Sequence, residues 1–362
     1  MNFTKKDTLC MKGIAILMMF FHHNYVGPDR WLNSPISFYP FTQNQITYIA
    51  HFFKICVGMF VFLTGYGMMA SVKGKNYNDK DMRKYTLNRY LSMMMGFWLI
   101  FIMIQIIAVV FSNRFTYIYG NGIRSIVYFI IDGFGLANMF QTPTFCSTWW
   151  YMSLATVLIL IFLMFKKFIE KYQGICLALT ICLPKAFALP YSDLWRWLFC
   201  YSLGMYMAEH NLIAKIKEEI LSKSMIWKFM IFIVMSLGIP VIIMLRQSSS
   251  FGVKFLYLWE GIAPAYIIIY VYIFFMWCKP LVAVLQFLGK HSMNMFLTHT
   301  MFRAVYFHDF IYSFYNMWID YIVLIAVSVA TSICIEFVKK LIRYGEITKY
   351  VKIKACSMLK LE

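Results

Sequence analysis

Uninterrupted apolar runs recur along this 362-residue chain, and they limit its fold more than any other feature. A run of roughly twenty residues crosses a hydrocarbon core of roughly 30 Å as one α-helix. Only helices and closed barrels cross lipid, because lipid offers no partners to free backbone amides and carbonyls. With 61% hydrophobic and 14% charged residues, the chain lacks the polar surface that a water-soluble domain needs. The sequence therefore predicts an all-α integral membrane protein.

Ten apolar segments are predicted to cross the membrane when the chain is followed from a cytoplasmic N-terminus. They are residues 11–27, 46–71, 90–111, 147–165, 174–190, 192–208, 226–245, 255–278, 292–306 and 319–340. Alternate loops then collect most of the Lys and Arg on the cytoplasmic side, as membrane insertion requires. An even number of crossings places both termini in the cytoplasm. Topology thus explains the formal charge of +18, and no nucleic-acid partner is predicted.

Residues 1–345 are predicted to form one transmembrane domain, followed by a short basic cytoplasmic tail over 346–362. Within the longest external stretch, residues 123–140 are apolar but interrupted by Asp132 and two glycines. We interpret this segment as re-entrant or interfacial, with an eleventh crossing as the alternative. The nine cysteines contain no C-x-x-C pair, so neither a disulfide framework nor a metal site is predicted. The oligomeric state has no signature in the sequence.

Two histidines, His22 and His23, interrupt the first apolar segment. Ionisable residues inside a spanning helix usually face the bundle interior and have a function. His23 follows Lys12 by eleven residues, which returns to within about 20° of the same direction and rises about 16.5 Å. His22 points about 100° away. The geometry therefore predicts His23 as the inward residue near the middle of the membrane, with Lys12 below it as an anchor for an anion. A hydrogen bond between helices is the structural alternative for this histidine.

A second polar stripe is predicted in the ninth segment. Ser292 and His299 are seven residues apart and so nearly superimposed on a helix, with Arg303 one turn further. Glu260, in the eighth segment, is the most isolated intramembrane carboxylate. A salt bridge to a neighbouring helix is the structural alternative for Glu260.

Four segments in this order resemble the motifs of the acyltransferase family 3 membrane proteins. They are Lys12 to Leu17 running on to His23, Gly58 to Tyr66, Trp150 to Met152, and Leu288 to Ser292 continuing through Phe296 to His299. The last resembles the family's Leu-Gly-x-x-Ser and Tyr-Leu-x-His elements. Together the four segments extend over essentially the whole chain.

By this resemblance, His23 matches the family's essential histidine and Lys12 its basic partner. Arg89 matches the first member of an Arg-x-x-Arg pair and, with Lys12, is expected to bind acyl-CoA. Two positions depart from the family: Lys12 stands where arginine is usual, and Ser92 replaces the second arginine. An ammonium cannot grip a pyrophosphate with two parallel hydrogen bonds as a guanidinium can.

The resemblance also assigns chemistry to the remaining polar residues. His23 is expected to deprotonate an acceptor hydroxyl or to accept the acyl group itself. Glu260 is expected to assist catalysis by orienting an imidazole. Trp150, Ser292 and His299 are expected to line the path of the acceptor.

The resemblance implies an O-acyltransferase with about ten helices in the plasma or inner membrane. Its donor would be acetyl-CoA or another acyl-CoA in the cytoplasm, and no bound cofactor is expected. Its acceptor would be a hydroxyl of a cell-surface or exported polysaccharide or other glycan, or of a lipid-linked precursor. The alternative function is a secondary transporter that uses intramembrane His, Glu and Lys as a relay, although no internal symmetry supports it.

Overall fold

A computed structural model describes residues 3–32, 34–187 and 193–361, and every regular element in these ranges is helical. The first helices are α1 (Lys5–Tyr25), α2 (Gln43–Phe52), α3 (Ile55–Val72), α4 (Asp79–Phe111), α5 (Arg114–Tyr119), α6 (Ile123–Gly133), α7 (Ala137–Phe140), α8 (Trp150–Leu160), α9 (Phe162–Tyr172) and α10 (Gly174–Ala186). The others are α11 (Asp193–Glu209), α12 (Leu212–Ser222), α13 (Met225–Gln247), α14 (Phe251–Lys254), α15 (Leu256–Phe274), α16 (Lys279–Thr300), α17 (His308–Ile311), α18 (Met317–Leu341) and α19 (Tyr344–Met358). Short 3₁₀ turns cover Pro28–Arg30 and Ser147–Trp149, and a π-helix covers Met301–Tyr306.

The chain folds as two compact units. The first comprises Met1–Lys75, Met164–Ser292 and Tyr312–Tyr321. The second comprises Asn76–Leu163, Met293–Ile311 and Ile322–Glu362. Three helical stretches, α8 with α9, α16 and α18, therefore run from one unit into the other.

Each of the ten predicted segments is largely helical, but 46–71 contains both α2 and α3, and 147–165 contains α8 and the start of α9. Residues 188–192, where the fifth segment ends and the sixth begins, lie outside the described residues. Five helical stretches are long and apolar enough to span a membrane: Gln43–Val72, Asp79–Phe111, Met225–Gln247, Leu256–Phe274 and Met317–Leu341. A sixth, Ser147–Leu160 with Phe162–Tyr172, is bent by 53°. The protein is thus an all-helical membrane protein. The total of ten crossings and the cytoplasmic termini stay predictions.

Helix α1 is long enough to span but is not among those five. Lys12, the two histidines and Asn24 lower its mean hydropathy. Thr4 fixes its start with a capping box, because its hydroxyl accepts a hydrogen bond from the Asp7 amide (3.3 Å) while the Asp7 carboxylate accepts from the Thr4 amide (2.7 Å). The helix therefore begins six residues before the predicted span.

The ninth predicted span, residues 292–306, begins too late in the chain. Its bounds leave Lys279 and Lys290 in a loop between two spans, whereas α16 runs without a break from Lys279 to Thr300. Pro280 lies in its first turn, where a missing amide donor costs nothing. The stripe from Ser292 to His299 is therefore helical as predicted. Arg303 follows in the π-helix Met301–Tyr306 and is buried.

The segment over residues 123–140 contains two short helices, α6 and α7. The 11 residues of α6 rise only about 16 Å, which is too short for a membrane crossing. Asp132, at the end of α6, accepts hydrogen bonds from the Tyr119 hydroxyl (2.6 Å), the Thr144 hydroxyl (2.9 Å) and the Phe145 amide (2.7 Å). The three hydrogen bonds attach α6 to α5 and to the loop before α8. They give a structural reason for the presence of an acidic residue in this apolar stretch.

The core of the first unit is built around α3, α11 and α15, with α1 packed beside them. Glycines bring α3 and α11 into backbone contact: a Cβ atom at Gly65 would lie 2.4 Å from the Tyr201 carbonyl oxygen, and one at Gly204 would lie 2.3 Å from that of Phe62. Larger side chains would force the two helices apart. The close approach gives dispersion contacts along the whole interface, as in other membrane helix pairs.

Helix α13 lies at the edge of the first unit. None of the residues in its most apolar stretch is buried, and the side chains of Met225 and Ile226 are 79% and 75% exposed. Two hydroxyl contacts help to attach it to α15: the Tyr266 hydroxyl donates to the Met235 carbonyl (2.7 Å), and the hydroxyls of Ser236 and Tyr270 lie 2.8 Å apart. Such an apolar outer surface is typical of a helix that faces lipid.

The core of the second unit is an aromatic cluster that includes Phe97, Phe101, Phe145 and Trp149. Trp149 packs edge-on against Phe97, with ring centroids 5.2 Å apart, and its indole Nε1 donates to the Leu297 carbonyl (3.1 Å). The cluster thereby connects α4, the turn before α8 and the C-terminal part of α16.

Replacing Gly65 with Ala is expected to destabilise the protein by roughly 1–3 kcal/mol, because the new methyl group overlaps the Tyr201 carbonyl. Gly67, on the same helix, is the matched control, since a Cβ atom there meets nothing within 4 Å. Gly67→Ala should leave stability unchanged or raise it slightly. Thermal unfolding of the purified protein in detergent measures both, and equal midpoints for the two variants would contradict the packing.

Candidate functional site

His22 and His23 lie near the end of α1, and both imidazoles are half-buried. Burial therefore does not separate them as the helix geometry predicted. Nδ1 of His22 donates to the Ala50 carbonyl (2.8 Å), so that ring helps to hold α2 in place. The two rings are in edge contact, with centroids 5.2 Å apart. His22 thus has an identified structural role, and the catalytic role of His23 stays a prediction.

Lys12 is half-buried on α1. The next residue in this motif, Gly13, is needed for helix packing. A Cβ atom at Gly13 would lie 2.2 Å from the Leu285 carbonyl oxygen, and one at Gly289 would lie 1.9 Å from that of Leu9. The first and last motifs therefore meet where α1 and α16 are in backbone contact. Ser292 follows one turn after Gly289, is buried, and donates its hydroxyl to the Gly289 carbonyl (2.9 Å).

Glu260 is fully buried on α15 and is bound by two arginines. Arg196 of α11 donates through Nε (3.0 Å) and also through its terminal NH2 group, and Arg246 of α13 donates through its terminal nitrogen (3.0 Å), all to Oε1. Arg246 also donates to the His51 carbonyl at the end of α2 (3.4 Å). This ion triad thus connects three helices and α2. A role of Glu260 in orienting an imidazole stays a prediction.

Several polar atoms near this triad have no hydrogen-bond partner among the described residues. They are Glu260 Oε2, Arg246 Nε and the indole nitrogens of Trp197 and Trp259. Unpaired buried groups of this kind are costly and usually bind water or a ligand. Water or a ligand beside Glu260 could therefore form hydrogen bonds with these four atoms, whereas the Oε1 atom already accepts hydrogen bonds from both arginines.

His299 belongs to the second unit and is completely buried on α16. Its Nδ1 donates to the Phe296 carbonyl (2.8 Å), and its Nε2 lies 3.2 Å from the Thr300 hydroxyl. The Thr300 hydroxyl is in turn 3.1 Å from that of Thr148. This chain of bonds fixes the imidazole and joins α16 to the turn before α8.

Trp150 and Arg89 also belong to the second unit. Trp150 is half-buried, whereas its neighbour Trp149 is buried and forms the hydrogen bond to α16. Arg89 is exposed on α4. Of the predicted site residues, Lys12, His23, Glu260 and Ser292 lie in the first unit, and Arg89, Trp150 and His299 lie in the second.

Sequence reasoning did not select Asn24 or Asp320, and both are fully buried in the first unit. The Asp320 carboxylate lies near the backbone amides of Phe314 and Asn316. The start of α18 is joined to α1 on both sides of Asp320: the Tyr25 hydroxyl donates to the Met317 carbonyl (2.6 Å), and the Tyr321 hydroxyl donates to the Leu17 carbonyl (2.9 Å). Asp320 therefore lies beside the stretch of α1 that contains His23. The feature of the sequence that could have identified Asp320 is its position as an acidic residue within the apolar segment 319–340.

The described residues include no group of three or more His, Cys, Asp or Glu side chains that could hold a metal ion. Among known protein families, a model described as an acyltransferase domain matches residues 10–337, which is most of the chain. Neither the curated proteins nor the solved structures gave a significant match.

Replacing Glu260 with Gln is expected to destabilise the protein by roughly 3–5 kcal/mol, because two buried guanidinium groups lose their counter-ion. The control is Glu219→Gln, which removes an exposed pair with Lys223 at 3.9 Å and should leave stability unchanged. Chemical denaturation in detergent measures both. If Glu260→Gln abolishes activity while stability is retained, the carboxylate acts in catalysis and not through the triad alone.

Proposed function

The chain belongs to acyltransferase family 3 and is a membrane acyltransferase, and we propose that it transfers an acetyl or other acyl group from cytoplasmic acyl-CoA to a glycan hydroxyl. The acceptor would be a cell-surface or exported polysaccharide or its lipid-linked precursor, and the location would be the plasma or inner membrane. The supporting observation is that the family match covers α1 with Lys12 and His23 together with all the later motifs.

His23 is the group that we propose as the base. A neutral imidazole takes the proton of the acceptor hydroxyl while the oxygen attacks the thioester carbonyl. A new ester C–O bond forms, the C–S bond breaks, and the thiolate of coenzyme A leaves and takes up the proton. Because a thioester is already activated, the protein chiefly has to position the two reactants and stabilise the developing oxyanion.

The other motif residues receive roles by resemblance. Lys12 and Arg89 would bind the phosphates of acyl-CoA, with Lys12 standing where the family usually has arginine and with Ser92 in place of the second arginine of the Arg89 pair. Trp150, Ser292 and His299 would line the path of the acceptor. Glu260, whose Oε1 atom is held by Arg196 and Arg246, would contribute through its unpaired Oε2 atom.

Asp320 is a further residue that we assign to the reaction. It is a buried carboxylate beside the part of α1 that contains His23. A carboxylate near an imidazole stabilises the imidazolium that forms when the base takes a proton. We propose that Asp320 has this supporting electrostatic effect on His23.

The principal test is the transfer of label from radiolabelled acetyl-CoA to glycan in membranes that contain the protein. His23→Ala is expected to lower the rate by roughly 10²–10⁴-fold, since general base catalysis is lost. His22→Ala is the matched control, because it removes the same type of half-buried side chain from the same helix, with its bond to the Ala50 carbonyl and its edge contact with His23, but leaves the proposed base in place. Its rate should stay within roughly tenfold of the unmodified protein.

Undiminished labelling by the His23→Ala variant would exclude this mechanism. If no label moves in any membrane preparation while a solute or proton flux depends on His23 or Glu260, the transporter alternative is correct.

Asp320→Asn is expected to lower the same rate by roughly 10-fold or more, and to shift the acidic limb of its pH profile downward, because the imidazolium loses a neighbouring negative charge. Asp309→Asn is the control, since that carboxylate is fully exposed. A fall in activity without any change in the pH profile would indicate that Asp320 acts only on folding.

A further inference from the structure

The second unit contains a pocket that the proposed reaction does not use. It is a cavity of about 430 Å³ between the first part of α4 and the C-terminal helix α19. Its lining residues are Lys84, Asn88, Lys349, Lys352, Ile353 and Cys356. Their spacing explains the pocket, because residues three, four and seven apart lie on one face of a helix. Residues 344–358 lie beyond the family match, so the family match does not account for the α19 side of the pocket.

The pocket has a strongly positive lining. Three of its six residues are lysines, no carboxylate lines it, and none of these lysines forms an ion pair among the described residues. Lys84 and Lys352 are half-buried, so water screens their mutual repulsion less than at an open surface. An anion in the pocket would remove that repulsion.

Asn88 provides an independent indication of a ligand. Its Oδ1 atom is buried and has no hydrogen-bond partner among the described residues. Turning the amide by 180° would place its NH2 group, a hydrogen-bond donor, at the same point. Three ammonium groups and an amide donor suit a phosphate group, whose several oxygens accept hydrogen bonds in different directions.

The surroundings of the pocket favour a lipid as the source of that phosphate. Helix α19 begins three residues after Leu341, the last residue of the apolar helix α18, and therefore lies next to a membrane span. It exposes apolar side chains beside its lysines, with Tyr350 at 63%, Ile353 at 56% and Met358 at 76%. A helix with this mixture typically lies in the headgroup region of a membrane.

We propose that this pocket binds the phosphate of an anionic phospholipid headgroup, with the acyl chains along the exposed apolar side chains of α19. The predicted topology places both α19 and the start of α4 at the cytoplasmic surface, where polybasic segments next to a span bind anionic lipid. Coenzyme A carries the same phosphate chemistry, and the test distinguishes the two sources.

The test is native mass spectrometry of the full-length protein titrated with phosphatidylglycerol or phosphatidylcholine in detergent. The pocket variant is Lys84→Gln, Lys349→Gln and Lys352→Gln combined, and it is expected to bind phosphatidylglycerol about tenfold more weakly. The matched control combines Lys80→Gln, Lys354→Gln and Lys360→Gln, which removes the same charge from the same two segments outside the pocket. Its binding should change less than about twofold.

Asn88→Asp is a second variant that keeps all three lysines and adds a competing carboxylate inside the pocket. It is expected to weaken phosphatidylglycerol binding to a similar extent, and the folded structure should benefit from the added ion pairs. Loss of binding in both variants supports the site, because misfolding would not explain the second. Equal binding by the pocket and control variants would overturn it.

Titration with coenzyme A alone provides the third measurement. If coenzyme A binds in a manner that depends on these lysines and phosphatidylglycerol does not, the lipid assignment is wrong. If the family reaction fails in the labelling assay while the lipid still binds, only the proposed function is affected, since the lipid site does not depend on it.

Discussion

A carboxylate without access to water needs a positive partner, and Glu260 has two. Its Oε1 atom accepts hydrogen bonds from Arg196 on α11 and Arg246 on α13, and Arg246 continues to the backbone at the end of α2. Charges buried in this way are neutral or slightly unfavourable compared with apolar packing, but the loss of one partner is very costly. The triad therefore does little for net stability and more for the arrangement of the helices, because a shift of α11 or α13 along α15 would separate a buried charge from its partner.

Glycines determine the helix contacts in which the Glu260 triad takes no part. Gly65 and Gly204 let α3 and α11 touch, and Gly13 and Gly289 do the same for α1 and α16. The motif glycines beside Lys12 and before Ser292 thus have a packing reason that is independent of catalysis. In a membrane, where apolar side chains gain nothing by leaving lipid, such close backbone contact is a principal source of helix association.

The polar groups around α1 divide into structural and chemical roles. His22 is used by the carbonyl of Ala50, and Tyr25 and Tyr321 anchor α1 to the start of α18. His23 is the half-buried neighbour, and Asp320 is a fully buried carboxylate beside the same stretch of helix. In the proposed reaction His23 is the base. The bonds of His22, Tyr25 and Tyr321 hold the surrounding helices in place and take no part in the chemistry.

The sequence by itself determined the helical class, the approximate positions of most apolar helices and the family. The period of α-helices and the length of apolar runs are local properties, so they can be counted along the chain. It also predicted that Asp132 and Glu260 needed explanation, because a charge in an apolar run is visible without a structure. The start of α16 was predicted too late, since Lys279 and Lys290 are typical of a loop when neighbouring helices are unknown.

Only the tertiary structure decided which groups pair: that Arg196 and Arg246 share Glu260, that Trp149 and not Trp150 bonds to α16, and that Lys84 faces Lys349 and Lys352. Partners far apart in the chain are brought together by packing, and no periodicity within a single segment contains that information.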